Sequence, residues 1–144
     1  MVQFLIRIPE ARTHLRILKE LSSRILKDLA SSDAELSILV TDDEEIRRLN
    51  RQYRSRDRVT DVLAFSQVEG EGSFPGSTVL GDVVISWDRA VEQGAQFSHG
   101  TRDELKRLLV HGVLHLLGYD HGDDEEAERM KQLEDRYAGF KDRS

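Results

Sequence analysis

Three histidines in one short stretch, His111, His115 and His121, are the side chains in this sequence best suited to chemistry. Residues four apart on an α-helix share a face and lie about 6 Å apart along its axis, so His111 and His115 can aim ring nitrogens at one point. The segment that carries them is apolar at Leu105, Leu108, Leu109, Val110, Val113, Leu114, Leu116 and Leu117, the pattern of a helix buried on nearly every side. Imidazoles on such a helix are costly unless something binds them. Gly118 stands where a helix takes a left-handed terminating residue, and the turn it allows brings His121 back as a third ligand. Three neutral nitrogens with one open position make a catalytic zinc site, one ion per chain, rather than a closed structural one. The chain has no cysteine, which excludes thiolate ligands and disulfides. Nitrogen donors suit nickel and copper as well, with availability favouring zinc.

The spacing His-x3-His-x2-Gly-x2-His is that of the metzincin proteases, with one difference. Those enzymes carry Glu directly after the first His as general base, and this chain has Gly112. Peptide hydrolysis by the usual route is therefore disfavoured. A glycine inside a helix costs about 1 kcal/mol against alanine, so Gly112 is expected to answer a close approach by substrate or by a neighbouring strand.

A second cluster is basic. Arg47, Arg48, Arg51, Arg54, Arg56 and Arg58 fall close together, although the net charge is -6 and argues against indiscriminate nucleic-acid binding. Asp43 with Arg47 and Glu44 with Arg48 are spaced as i,i+4 pairs, so Arg47, Arg48 and Arg51 read as a solvated, ion-paired face. Arg54 is either a partner of Asp57 or Asp61 or a phosphate ligand, for which its planar donor fork is well shaped. Asp61 is read as a turn-former or a substitute base, and Asp120 as an orienting partner for a His ring or a cap for the helix end. His14 is read as a solvated residue on an exposed or boundary face, and His99 as a surface loop residue.

The elements that must position these groups follow from periodicity. Residues 2–8 alternate as a first strand, and Ala11 to Leu29 carries a helical stripe at Leu15, Leu18, Leu21, Ile25, Leu26 and Leu29. Glu35 to Val40 is a second strand. Thr41-Asp42-Asp43-Glu44 is a capping box that opens a helix whose buried side is Ile46, Leu49 and Tyr53. Val59 to Phe65 and Thr78 to Ser86 read as strands, with a glycine-rich loop at 70–76 between them. Trp87 to Phe97 is a short helix, Thr101-Arg102-Asp103-Glu104 a second capping box that starts the His-bearing helix, and 123–137 an acidic helix with Ala127, Met130, Leu133 and Tyr137 inward. The acidic run at its start is favourable at a helix N-terminus. The fold class is α+β, a mixed sheet of about four strands with about five helices, because strict strand–helix alternation fails after the third strand.

At 144 residues, 33% charged and 38% hydrophobic, the chain suits one domain, 1–144. The opening residues are too short and interrupted for a signal peptide, and no apolar run is long enough for a membrane span, so a cytoplasmic protein is expected.

Two motifs, Leu49-Asn50-Arg51-Gln52-Tyr53-Arg54 running into Thr60-Asp61-Val62-Leu63-Ala64-Phe65, and His111 to His121, resemble the bacterial rRNA-maturation endoribonucleases of the YbeY family. Leu80-Gly81-Asp82-Val83-Val84-Ile85 is a weaker echo. The resemblance implies a zincin-like α+β fold with the His-bearing helix buried centrally, and zinc held by His111, His115 and His121. It further implies a functional arginine at Arg54, and cleavage of single-stranded RNA in 16S rRNA 3′-end maturation and ribosome quality control at the small ribosomal subunit. The chain departs from the family pattern at Val59, Ala64 and Ser66, which touches the edge of the cleft. The residues themselves leave three rivals open: a small-substrate zinc hydrolase, a metalloprotease, and a non-catalytic metal-stabilised ribosome assembly factor. They also leave open whether hydroxide or the ribose 2′-OH attacks.

Overall fold

Among the described residues four strands, β1 (Val2–Ile6), β2 (Glu35–Thr41), β3 (Val62–Ser66) and β4 (Val79–Ser86), form one sheet in the order β1-β2-β4-β3. The computed structural model describes residues 1–31, 33–67, 79–120 and 122–139. β1 and β4 each run parallel to β2, and β3 pairs antiparallel with β4, so the sheet is mixed as expected. Among the described residues five α-helices accompany it: α1 (Leu15–Leu29), α2 (Asp43–Arg54), α3 (Trp87–Gln96), α4 (Gly100–Leu116) and α5 (Asp124–Ala138).

Alternation along the strands sorts the core into two parts. Leu36, Ile38 and Val40 of β2 and Val83 and Ile85 of β4 point into the larger part, where they meet Leu18 and Ile25 of α1 and Leu105, Leu109 and Val113 of α4. Val84 of β4 and Leu63 of β3 point the other way, against Ile46 of α2. Helix α4 is buried along most of its length and lies against α1, α3, α5, β3 and β4, so the two histidines sit on the most enclosed helix of the fold. Each leucine there contributes about 1.5–3 kcal/mol by leaving water, which fixes the height and rotation of the face that bears His111 and His115.

Several local expectations shift. Pro9–His14 forms a 3-10 turn, and the α-helix begins only at Leu15. The cap of α2 is Asp42, whose carboxylate accepts the Glu45 amide at 2.9 Å, one residue later than the box read from the sequence. Helix α4 starts at Gly100 with no side-chain cap, and Glu104 is turned inward instead of reaching back. Tyr53, expected on the buried side of α2, is 61% exposed, while Ile46 is fully buried. The third strand begins at Val62 rather than Val59 because buried Asn50 ties down the loop before it, donating from Nδ2 to the Arg58 carbonyl at 3.0 Å. The glycine-rich loop at 70–76 lies outside the described residues.

Candidate active site

His111 and His115 do share a face of α4, and their Nε2 atoms approach to 3.0 Å. Two nitrogens bound at 2.0–2.1 Å to one tetrahedral zinc would lie about 3.3 Å apart, so the spacing fits a common ion. The Nδ1 of His111 lies 3.0 Å from the Glu134 carboxylate on α5. That contact holds the proton on Nδ1 and offers the Nε2 lone pair to the shared point, the arrangement in which a carboxylate orients a metal-binding imidazole. The sequence offers Asp120 as an orienting partner for a His ring or as a cap for the helix end; the carboxylate that meets His111 is that of Glu134. Its signal in the sequence is its place four residues after buried Met130, on the inward side of an otherwise acidic helix.

Helix α4 ends as Gly118 predicts. Gly118 has φ +96°, Tyr119 donates to the Leu114 carbonyl at 3.0 Å, and Gly118 donates to that of His115 at 3.1 Å. This pair of backbone bonds closes the helix, and Asp120 is an exposed residue that lines the cleft. His121, read as the third ligand, lies outside the described residues, and among the described residues no three His, Asp or Glu side chains form a group that could hold a metal.

Gly112 answers a strand. A Cβ there would sit 2.7 Å from Cγ1 of Val83 and 3.3 Å from Cγ2 of Val62, so the missing side chain lets α4 settle onto β4 and β3 between its two histidines. A glutamate at this position has no room to serve as a protease-type base.

The histidines open into a cleft of about 990 Å³ that Arg54, Arg56, Arg58 and Asp61 also line. The arginine cluster divides in two. Arg47 bonds Asp57 at 2.8 Å, and Arg48 bonds Glu45 at 3.1 Å, so this face is ion-paired as expected but with other partners. The Arg47 guanidinium holds the exposed Asp57 carboxyl below the usual carboxylate range. Asp43, expected beside Arg47, instead takes the Ser86 hydroxyl at 2.7 Å and Arg89 at 3.4 Å. Arg54 pairs with neither Asp57 nor Asp61; it donates to the Ala64 carbonyl and lies over the Phe65 ring, its central carbon 5.2 Å from the centroid. Asn50 also sets the loop from below, its carbonyl accepting the amides of Ser55 and Arg56.

Behind Asp61 lies a polar cluster that local sequence gave no reason to expect. Glu104 is fully buried and binds Arg107 Nε at 3.0 Å, the Gln93 amide at 2.5 Å and His99 Nε2 at 2.7 Å. Gln93 also donates to Asp61 at 3.3 Å, and Arg107 comes within 3.9 Å of it. Burial pushes the Glu104 carboxyl up, but bonds from Arg107, Gln93 and His99 together with the Arg107 charge hold it below its ordinary value. His99 is therefore not a surface loop residue, since its side chain is 6% exposed. His14 is a boundary residue, its ring 5.9 Å from that of Trp87, and burial followed by the nearby Arg102 charge lowers its pKa.

No helix among the described residues is long and apolar enough to cross a membrane. Paired imidazoles on a buried helix and the exposed arginines Arg54, Arg56 and Arg58 thus line one cleft of an α+β fold. The chain belongs to the family described as Endoribonuclease YbeY, whose model matches residues 6–140. It is 41% identical over 131 residues to Endoribonuclease YbeY of Aquifex aeolicus, covering 90% of this chain and 85% of that one. It is 48% identical over 121 residues to Endoribonuclease YbeY of Syntrophotalea carbinolica, covering 81% and 79%. The solution structure of TM1509 from Thermotoga maritima has a similar fold, with a TM-score of 0.65 at 28% identity, covering 96% of this chain and 90% of that one.

Proposed function

We propose that this chain is a zinc-dependent endoribonuclease that cuts single-stranded RNA, acting in the cytoplasm on the small ribosomal subunit in 16S rRNA 3′-end maturation and ribosome quality control. The observation that carries the reading is the 3.0 Å convergence of the His111 and His115 Nε2 atoms in a cleft walled by exposed arginines. His111, His115 and, by its place in the motif, His121 would hold the zinc, which when bound supplies a Lewis acid for a phosphoryl oxygen. Glu134 orients His111.

The rest of the chemistry belongs to the cleft wall. A phosphodiester transition state spreads negative charge over its nonbridging oxygens, and a fixed guanidinium stabilises that charge without reorganising. Arg54 has five donor hydrogens, and its bond to the Ala64 carbonyl anchors the fork while leaving donors for phosphate. Arg56 and Arg58 extend the positive wall along the path of a strand. Asp61, held by Gln93 and Arg107, is a carboxylate in the cleft lining available to a leaving or attacking hydroxyl. Gly112 leaves no room for a base in the protease position, which fits a phosphodiester substrate better than a peptide.

The test is cleavage of single-stranded and duplex RNA by metal-replete protein, His115→Ala and Arg54→Ala. Single strands should be cut, His115→Ala should be inactive, and Arg54→Ala should lose about 10²–10³ in rate, the usual loss for one donor to a developing oxyanion. Equal cutting by wild type and His115→Ala would overturn the proposal, and full activity of Arg54→Ala would favour a small-substrate hydrolase. Ends bearing 2′,3′-cyclic phosphate would identify the 2′-OH as the attacking group.

A further inference from the structure

Tyr53 continues the apolar stripe of Ile46 and Leu49 on α2, yet 61% of its surface is in water. It stands where two cavities meet. One is the arginine-walled cleft, and the other is a mainly apolar groove of about 610 Å³ over the open side of the sheet, lined among others by Leu39, Leu49, Phe65 and Val84, with Gln67 and Asp82 also in its lining. Phe65 buttresses the Tyr53 ring edge-on, with centroids 5.5 Å apart at 64°, and the same Phe65 ring lies under Arg54. A guanidinium and an exposed aromatic ring are thus separated by a single side chain, the scale that separates a phosphate from a neighbouring base.

We propose that Tyr53 is a stacking platform for an unpaired nucleobase of the RNA strand whose phosphates lie along Arg54, Arg56 and Arg58. The proposal rests on the RNA-cleaving reading above and extends it to a subsite. An apolar peptide is a poorer occupant, because the groove opens onto a wall of exposed arginines that favours a polyanion carrying flat apolar rings. A duplex keeps its bases stacked on one another and offers none to Tyr53, so the platform selects single strands. The residue positions substrate and takes no part in bond breaking.

The probe is a 2′-O-methyl RNA of about 12 nucleotides, within the length that one single-strand site covers, compared with an abasic strand of equal charge. Wild type should bind the base-bearing strand about 5- to 150-fold more tightly than the abasic one, the range for one lost base stack. Tyr53→Ala should abolish that preference without weakening abasic binding, and Tyr53→Phe should keep it. In Tyr53→Trp, fluorescence should be quenched by the single strand and not by duplex, with wild type, whose only tryptophan is Trp87, as the control. If Tyr53→Ala keeps the full preference, or the Tyr53→Trp signal ignores the strand, the subsite is overturned while RNA cleavage stands. If wild type binds neither strand, the subsite and the RNA reading fail together.

Discussion

Replacing Glu104 with glutamine tests whether the buried cluster behind Asp61 is held by charge. Glu104 is fully buried, and its partner Arg107 keeps only 27% of its side chain exposed. Glutamine preserves size but leaves the guanidinium without its counter-ion and turns an amide N–H toward other donors. Breaking a buried pair by removing one partner costs about 3–5 kcal/mol. Arg107 retains some solvent and lies 3.9 Å from Asp61, so the expected loss is at or below the low end, about 2–3 kcal/mol. In urea, at an m-value of about 1.5 kcal/mol/M, the midpoint should fall by about 1–2 M with the slope unchanged. The surface pair Arg16–Glu20, 92% and 66% exposed, is the control, and Glu20→Gln should cost no more than about 0.5 kcal/mol. The dependence on pH has a definite sign. Because the folded-state pKa of Glu104 is depressed, its contribution is complete above the ordinary glutamate value and is lost as pH falls through the lower folded value. The gap between wild type and Glu104→Gln should therefore narrow on acidification. A midpoint within about 0.3 M of wild type, or a gap that widens in acid, would refute the reasoning.

Gly112→Ala should destabilise the fold by about 1–2 kcal/mol despite the better helix propensity of alanine, because overpacking against Val83 and Val62 outweighs a gain of about 1 kcal/mol; thermal unfolding checks it. Glu134→Ala should weaken zinc binding by about 10- to 100-fold, and Glu134→Gln, which keeps an acceptor for His111 Nδ1, by less, as competition with a chromophoric chelator would show.

Periodicity made the scaffold legible. The apolar run through α4, the stripe of α1 and the alternation of β2 and β4 each report burial that the neighbouring elements then supply. The pairing of His111 with His115 was legible for the same reason, since a four-residue spacing on a helix fixes a shared face. What escaped were partners brought from elsewhere in the chain. Glu134 reaches His111 across 23 positions, and Glu104 looked like a cap because a capping box and an inward carboxylate begin with the same letters. The partners of Asp43 and Arg47 followed tertiary contacts rather than the i,i+4 rule, which describes an isolated helix. Tyr53 misled in the opposite sense, because the stripe it continues runs beyond the part of the sheet that α2 covers.

Calorimetric titration of metal-free protein with zinc measures the shared ion directly. One ion should bind per wild-type chain, and His111→Ala and His115→Ala, each shown to remain folded, should bind it far more weakly or not at all. Wild type that takes up no zinc, or variants that match it in stoichiometry and affinity, would contradict a metal centre on α4.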